Sequence, residues 1–378
     1  MSATTRITIL GAGFAGLELS TQLSEALGDA VQVTLIDKAD AFIFGFSKLD
    51  LMFGHAELPA VRLPYAHFAK PGVRLLRETV TAIDPVTRRV TTDAGVHEAD
   101  FLVVAMGADY DIAATPGLAD EHEFYSVPGA ARLREVLSTF RRGHALVGVC
   151  GAPYKCPPAP SECALMLHDY LSRAGVRDDC EISLVLPLSS PVPPSPETSR
   201  ALLAAFEERG IRFRPNCRIA RVDAARRVAT LDDGSEIAYD LFLGVPRHRA
   251  PAVVEAAGLT ENGWVTVDPR TLQTRFPGVY AIGDIANTGT PKAGVFAEGA
   301  AGAVASALIA QIRGAGEGQL YGGRGTCYIE FGAGRIGRVE VDFFSGPKPT
   351  GTYHEPSVEL RQDKLHFGAS RRARWFGL

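Results

Sequence analysis

Between Gly148 and Cys163 the chain reads GVCGAPYKCPPAPSEC. Three of its residues carry side chains that can do chemistry together: Lys155, Cys156 and Glu162. A thiol reacts as its thiolate, and a free cysteine has a pKa of about 8.5. A neighbouring cation or a helix start lowers that value. Lys155 is such a cation, whereas Pro157, Pro158 and Pro160 remove N–H donors from the start of the helix that follows. Glu162 can move protons if its surroundings raise its pKa. These residue types suit sulfur redox exchange, in which one cysteine accepts a sulfur atom and a second thiolate passes electrons on. Cys150, Cys163, Cys180 and Cys217 read as small apolar core residues. No CxxC pair occurs, and Cys150, Cys156 and Cys163 are spaced too widely for a usual zinc knuckle, so no metal is expected.

These residues must be held by a βα unit. Ala145–Val149 predicts a buried strand, and 161–173 a helix with an apolar stripe at Ala164, Leu167, Tyr170 and Leu171, stopped by Gly175. The turn between them keeps Gly148 and Gly151 but then runs into prolines, which lack the N–H groups that hold a pyrophosphate. The next strand ends without an acid or arginine for a nicotinamide ribose. A conventional NAD(P) site is therefore not expected there.

An intact version of the same plan opens the chain. Arg6–Leu10 predicts a strand, Gly11, Gly13 and Gly16 form GxGxxG, and a helix follows to about Leu27. The first glycine permits the tight turn, the second lets backbone approach a pyrophosphate, and the third lets helix and strand pack closely. The second strand, 31–36, ends in Asp37, 21 residues past Gly16, where an acid meets the ribose hydroxyls of a dinucleotide. Further strands are expected at 101–105, 181–186, 279–282, 326–331 and 338–344, and helices at 198–208 and 294–312. Beyond these the chain predicts a polar, proline-containing end.

The bulk properties fit a two-domain soluble protein. The chain has 378 residues, 46% hydrophobic and 22% charged, with a net charge of −4. That charge gives no basic field for nucleic acid. The sequence shows no run near the roughly 18 apolar residues of a membrane span, and MSATTRITIL reads as a first strand, not a signal peptide. The cytoplasm is the expected compartment, with peripheral contact at the inner face of the membrane left open.

Arg275-Phe-Pro-Gly-Val-Tyr-Ala-Ile-Gly283-Asp284 resembles the C-terminal FAD motif of two-dinucleotide-domain flavoproteins, which include glutathione-reductase-like enzymes. Val103-Val-Ala105-Met-Gly107 resembles their middle motif, with Met106 where threonine is usual. The resemblance implies an α/β fold with two Rossmann-like, glutathione-reductase-type domains. The first, FAD-binding, is discontinuous over 1–110 and 265–320, the second spans 111–264, and 321–378 is a C-terminal segment. It also implies non-covalent FAD, since no cysteine precedes Cys150. The cofactor would be held by Gly11, Gly13, Ala15, Gly16, Asp37, Lys38, Val80, Ala105, Gly107, Gly283, Asp284 and Lys292.

The Lys155–Glu162 segment is similar to the redox-cysteine segment of sulfide:quinone oxidoreductases and of the flavin subunit of flavocytochrome c sulfide dehydrogenase. In that family a glutamate stands six residues past the cysteine, as Glu162 does here, and a second cysteine lies in the C-terminal region, where Cys327 stands. The resemblance implies catalytic Cys156, Cys327 and Glu162, a small sulfur donor, and a quinone or similar acceptor. It places Cys327 near the flavin, with Lys292 and the helix start at Gly294 facing the pyrimidine edge. Two other readings stay open: an NAD(P)H:acceptor oxidoreductase of the same fold, and a flavin-binding redox sensor or electron-transfer subunit. The basic–aromatic end, SRRARWFGL from Ser370, is expected to touch lipid headgroups or a partner subunit.

Overall fold

A computed structural model describes residues 4–378. Two parallel sheets and one antiparallel sheet carry the architecture. The first sheet is built from β1 (Thr5–Leu10), β2 (Val31–Asp37), β3 (Val73–Arg77), β4 (Phe101–Val104) and, from far along the chain, β9 (Val279–Ala281). Its order is β9-β4-β1-β2-β3, all parallel. Ile7, Ile9, Val33, Leu35, Leu102, Val103 and Val279 are fully or almost fully buried. Such continuous apolar strands suit a parallel sheet covered on both faces.

The second sheet comprises β5 (Gly143–Val149), β6 (Cys180–Val185), β7 (Ile211–Arg214) and β8 (Leu241–Val245), ordered β7-β6-β5-β8 and again parallel. The third is an antiparallel meander of β10 (Arg324–Glu330), β11 (Ile336–Asp342) and β12 (Thr350–Ser357).

Five helices position the site: α1 (Phe14–Leu27), α2 (Ser47–Met52), α3 (Ala159–Arg173), α4 (Gly294–Arg313) and α5 (Glu359–Arg371). α1 and α4 pack along each other, with Ala297, Ala300, Ala301, Val304 and Leu308 buried. Small side chains allow that close approach. By length and composition alone α4 is apolar enough to cross a membrane, which corrects the expectation that no run comes near that limit. Almost half of its apolar stretch is buried inside the protein.

The chain end also departs from expectation. The polar tail holds β12 and α5, and its last residues dock on the protein itself. Trp375 is fully buried, edge-on to Phe14 and Phe42. Its Nε1–H donates to Glu18 on α1 at 2.8 Å, and Arg374 pairs with Glu18 and Glu25. Neither aromatic residue of the tail is left for lipid or a partner subunit, because their apolar surface is already buried here.

Candidate active site

The nucleotide cradle forms where the first sheet meets the starts of α1 and α4. A Cβ on Gly11, at φ +100°, would lie 2.5 Å from the Ala105 carbonyl oxygen, and one on Gly16 would lie 1.9 Å from the Gly11 oxygen. Both positions therefore demand glycine. Gly13 faces open space instead, and α1 starts there with no side-chain cap. Uncapped N–H groups and the positive end of a 14-residue helix suit a pyrophosphate. Asp37 takes N–H bonds from Ala12 and Ala39 on separate oxygens, fixing its carboxylate at the adenosine end. Gly283 touches Ala15 and Ala297, so both helix starts converge on Asp284. The Asp284 carboxylate is in a cleft without a hydrogen-bond donor among the described residues. Burial raises its pKa, opposed by the charges of Lys155, Lys292 and Lys48. A glycine cradle, two helix starts and an unmet acceptor fit a flavin dinucleotide.

Of the other expected cradle residues, Ala15 and Ala105 are buried at the motif turns, and Gly107 takes a positive φ after β4. Lys38 is exposed beyond Asp37, and Val80 starts a short strand packed on the first core. Lys292 is buried against the FAD-motif loop. Its Nζ donates to the Asp284 carbonyl at 2.5 Å and lies 3.5 Å from the centre of the Trp264 ring. Burial pushes its pKa down to about 8, with Asp284 opposing. It therefore braces the backbone of the FAD-motif loop.

The sulfur residues lie on the other side of that loop. The Cys156 N–H donates to the Lys292 carbonyl at 2.7 Å, and Cys156 sits at φ +50°, a strained conformation for a residue with a Cβ. This ties the proline-rich turn to the flavin loop and closes it against the Lys292 strand segment. Cys327, on β10, packs into the same core, and β10 runs along α4, where Gly325 meets Val295 and Phe296. Glu162 joins the two elements, because its Oε1 accepts the Glu330 N–H at 3.0 Å. Cys156, Cys327 and Glu162 are thus brought together, and both thiols are free.

Electrostatics in this cluster run against a pre-ionised thiol. Burial raises the Cys156 pKa well above its ordinary value, and the charges of Glu162 and Cys327 add to that; Lys364 and a bond from the Ala159 N–H oppose it. Burial and Glu162 push Cys327 up to about 12. Burial lifts Glu162 to about 7, against Lys364 and the Glu330 N–H. Cluster members therefore compete for one negative charge, and a thiolate forms most easily when Glu162 takes up a proton. Lys155, expected to assist Cys156, turns away: its Nζ donates to the Ala108 carbonyl at 3.1 Å and covers the Tyr110 ring.

The cation that does act on Cys156 is Lys364 on α5, a residue sequence reasoning missed. It pairs with Glu330 at 2.5 Å, both largely shielded. Its charge reaches Glu162 as well. Lys364 and Glu330 form part of the wall of a groove of about 1110 Å³, whose apolar lining includes Phe44, Phe46, Met166 and Leu365. Nothing in a 13-residue polar helix signals this role; only the groove that α5 lines together with α2 and α3 reveals it.

Comparison with known proteins identifies the family and the fold. The family model of pyridine nucleotide-disulphide oxidoreductases matches residues 5–310. The mitochondrial sulfide:quinone oxidoreductase of Mus musculus is 24% identical over 369 residues, covering 94% of this chain and 82% of that protein. The solved structure of the sulfide:quinone oxidoreductase from Aquifex aeolicus superposes with a TM-score of 0.87 at 21% identity, covering 98% of this chain and 91% of that one. A type II NADH:quinone oxidoreductase of Staphylococcus saprophyticus is 31% identical over 117 residues, 30% of this chain and 29% of that protein. The match runs through both parallel sheets and the nucleotide cradle, and the chain belongs to the pyridine nucleotide-disulphide oxidoreductase family, as an FAD-dependent oxidoreductase.

Proposed function

We propose that the protein oxidises sulfide, or a related sulfur donor, through Cys156 and Cys327, and delivers the electrons by way of FAD to a quinone or similar acceptor. The observation that carries this reading is the meeting of two buried thiols with one carboxylate of raised pKa beside the flavin loop. The whole-length likeness to a sulfide:quinone oxidoreductase supports it.

When the two cysteines are joined as a disulfide, hydrosulfide attacks one sulfur. One S–S bond forms, giving a persulfide, and one breaks, expelling the other cysteine as thiolate. Glu162 takes the persulfide proton or returns one to the thiolate, and Lys364 compensates the charge that remains. FAD, when bound, supplies the two-electron acceptor. Glu162 holds the Glu330 N–H, and the Glu330–Lys364 pair stands beside it in the wall of the groove. The acceptor would lie in that groove between its aromatic and aliphatic walls. Val358 and Leu365 are exposed on the C-terminal segment, which suits peripheral contact with a membrane that holds quinone.

The reading as an NAD(P)H oxidoreductase rests on the local likeness to a type II NADH:quinone oxidoreductase. Against it stands the proline turn, with Tyr154 buried and the backbone engaged by the Lys292 segment. Single Cys156→Ser and Cys327→Ser proteins test the cysteine mechanism. Each should keep FAD and lose sulfide-driven flavin reduction by at least about 10³-fold. Normal reduction in both would sink it. Rapid reduction without steady-state quinone turnover would favour a sensor or electron-transfer subunit.

A further inference from the structure

Near Cys156, whose charge reaches Tyr125, lies a second cluster of polar groups that the chemistry above leaves unused. Tyr110 is its centre. The Lys48 Nζ, from α2, is 3.5 Å from the Tyr110 hydroxyl, and the Lys155 Nζ is 4.4 Å from the centre of its ring. The Tyr110 hydroxyl itself donates to the Tyr125 carbonyl at 2.7 Å. The His248 ring stands edge-on to the rings of Tyr110 and Tyr125, at 5.0 and 5.1 Å.

Two buried polar atoms here have no partner: the Nε2 of His248 and the hydroxyl of Tyr125. Both residues are more than nine-tenths buried, at 3% and 5% exposure. Among the described residues neither Lys48 nor Lys155 makes an ion pair, and both are half-buried. Two half-buried ammonium groups, held by neutral oxygens and sharing only the charge of Asp284, stand beside two buried polar atoms left without a partner, and such atoms are costly unless a ligand completes them.

We infer that Lys48, Lys155, Tyr125 and His248 form a binding site for a small sulfur anion, hydrosulfide, from which the donor reaches Cys156. The inference rests on the function proposed above. The two ammonium groups supply the charge. The free Tyr125 hydroxyl donates to the anion. His248 gives the selectivity. Its Nδ1 faces the Pro246 carbonyl at 2.8 Å and so carries the proton, which leaves Nε2 as a lone-pair acceptor. Burial and the charges of Lys155, Lys48 and Lys292 hold the imidazole neutral, its pKa lowered to about 3. Hydrosulfide keeps one S–H to donate to that nitrogen. An anion without a proton has nothing to offer it.

The test uses the FAD-loaded protein under anaerobic conditions, with sodium hydrosulfide as donor and thiocyanate as an unreactive, proton-free anion. In Lys155→Gln and Lys48→Gln the sulfide concentration for half-maximal bleaching rate should rise about tenfold, well beyond any fall in the limiting rate. Thiocyanate should compete with sulfide in the parent and lose affinity in both lysine variants. His248→Phe should weaken sulfide and leave the affinity for thiocyanate unchanged. Half-saturation unchanged in both lysine variants, with the parent bleached normally, would overturn the site and leave the proposed function standing. Loss of FAD from both variants would assign the lysines to the cofactor and also overturn it. No bleaching of the parent would overturn the proposed function itself. Lys155-dependent thiocyanate binding, read from the flavin spectrum, would then still mark an anion site.

Discussion

At the scale of single residues, the site is a contest for one negative charge. Burial and the Glu162 charge oppose thiolate at Cys156 and Cys327. Alkylation of Cys156 by iodoacetamide should therefore have its pH midpoint well above the ordinary thiol range, and should be slow at neutral pH. A midpoint below about 8.5 would show the thiol to be activated. Glu162 should titrate at about 7 as a protonated carboxylic acid, seen as an infrared carbonyl band that is absent from Glu162→Gln. The sign for stability follows. Between 4.5 and about 7 the folded state holds a proton that the unfolded chain has released, so stability falls as pH rises through that window. Replacing Glu162 by Gln should flatten that part of the profile in chemical denaturation. Lys364→Met removes a cation that acts on Cys156 and Glu162, and should move the infrared midpoint of Glu162 upward. An unchanged midpoint would show that Lys364 serves α5 packing alone.

At the scale of elements, the first βα turn and the tail show what a sequence does and does not reveal. The GxGxxG turn was legible because its demands are local. Gly11 and Gly16 are forced by contacts within one strand–turn–helix unit and the neighbouring strand. The tail is not legible in this way, because its partners lie some 350 positions away in the chain: 357 positions separate Trp375 from Glu18. A basic–aromatic string looks like a surface anchor until Glu18 and the Phe14–Phe42 pocket are placed beside it. The same limit hid Lys364. Lys155 looked like the helper of Cys156 because it is adjacent in sequence, but the left-handed Cys156 backbone sends the two side chains apart. Trp375→Ala should cost about 3–5 kcal/mol in denaturation, because it empties a filled pocket and removes a donor from Glu18. Burial opposes ionised Glu18, yet bonds from Arg374, Trp375 and Gln22 keep its pKa below the usual 4.5. The tail contact therefore stabilises above about pH 4.5 and is lost as pH falls through the lower folded value.

At the scale of the whole molecule, two parallel sheets bring two different chemistries to one loop. The first sheet ends in an open cradle with an unmet carboxylate at Asp284. The second ends in a turn filled by prolines, Tyr154 and Cys156. The third sheet and α5 add Cys327, Glu330 and Lys364, together with the groove. The α/β class and the strand–turn–helix unit of the cradle were written in the glycine motifs and apolar runs. The groove was not, because it exists only where α5 and the end of β10 meet elements from the first two hundred residues. The central claim is that electrons enter through sulfur. Its most direct test is anaerobic bleaching of the bound flavin, comparing sulfide with NADH and NADPH at equal concentration. Sulfide should bleach the flavin absorbance rapidly and both nicotinamides should leave it unchanged. Fast bleaching by NADH or NADPH, with sulfide inert, would contradict the account.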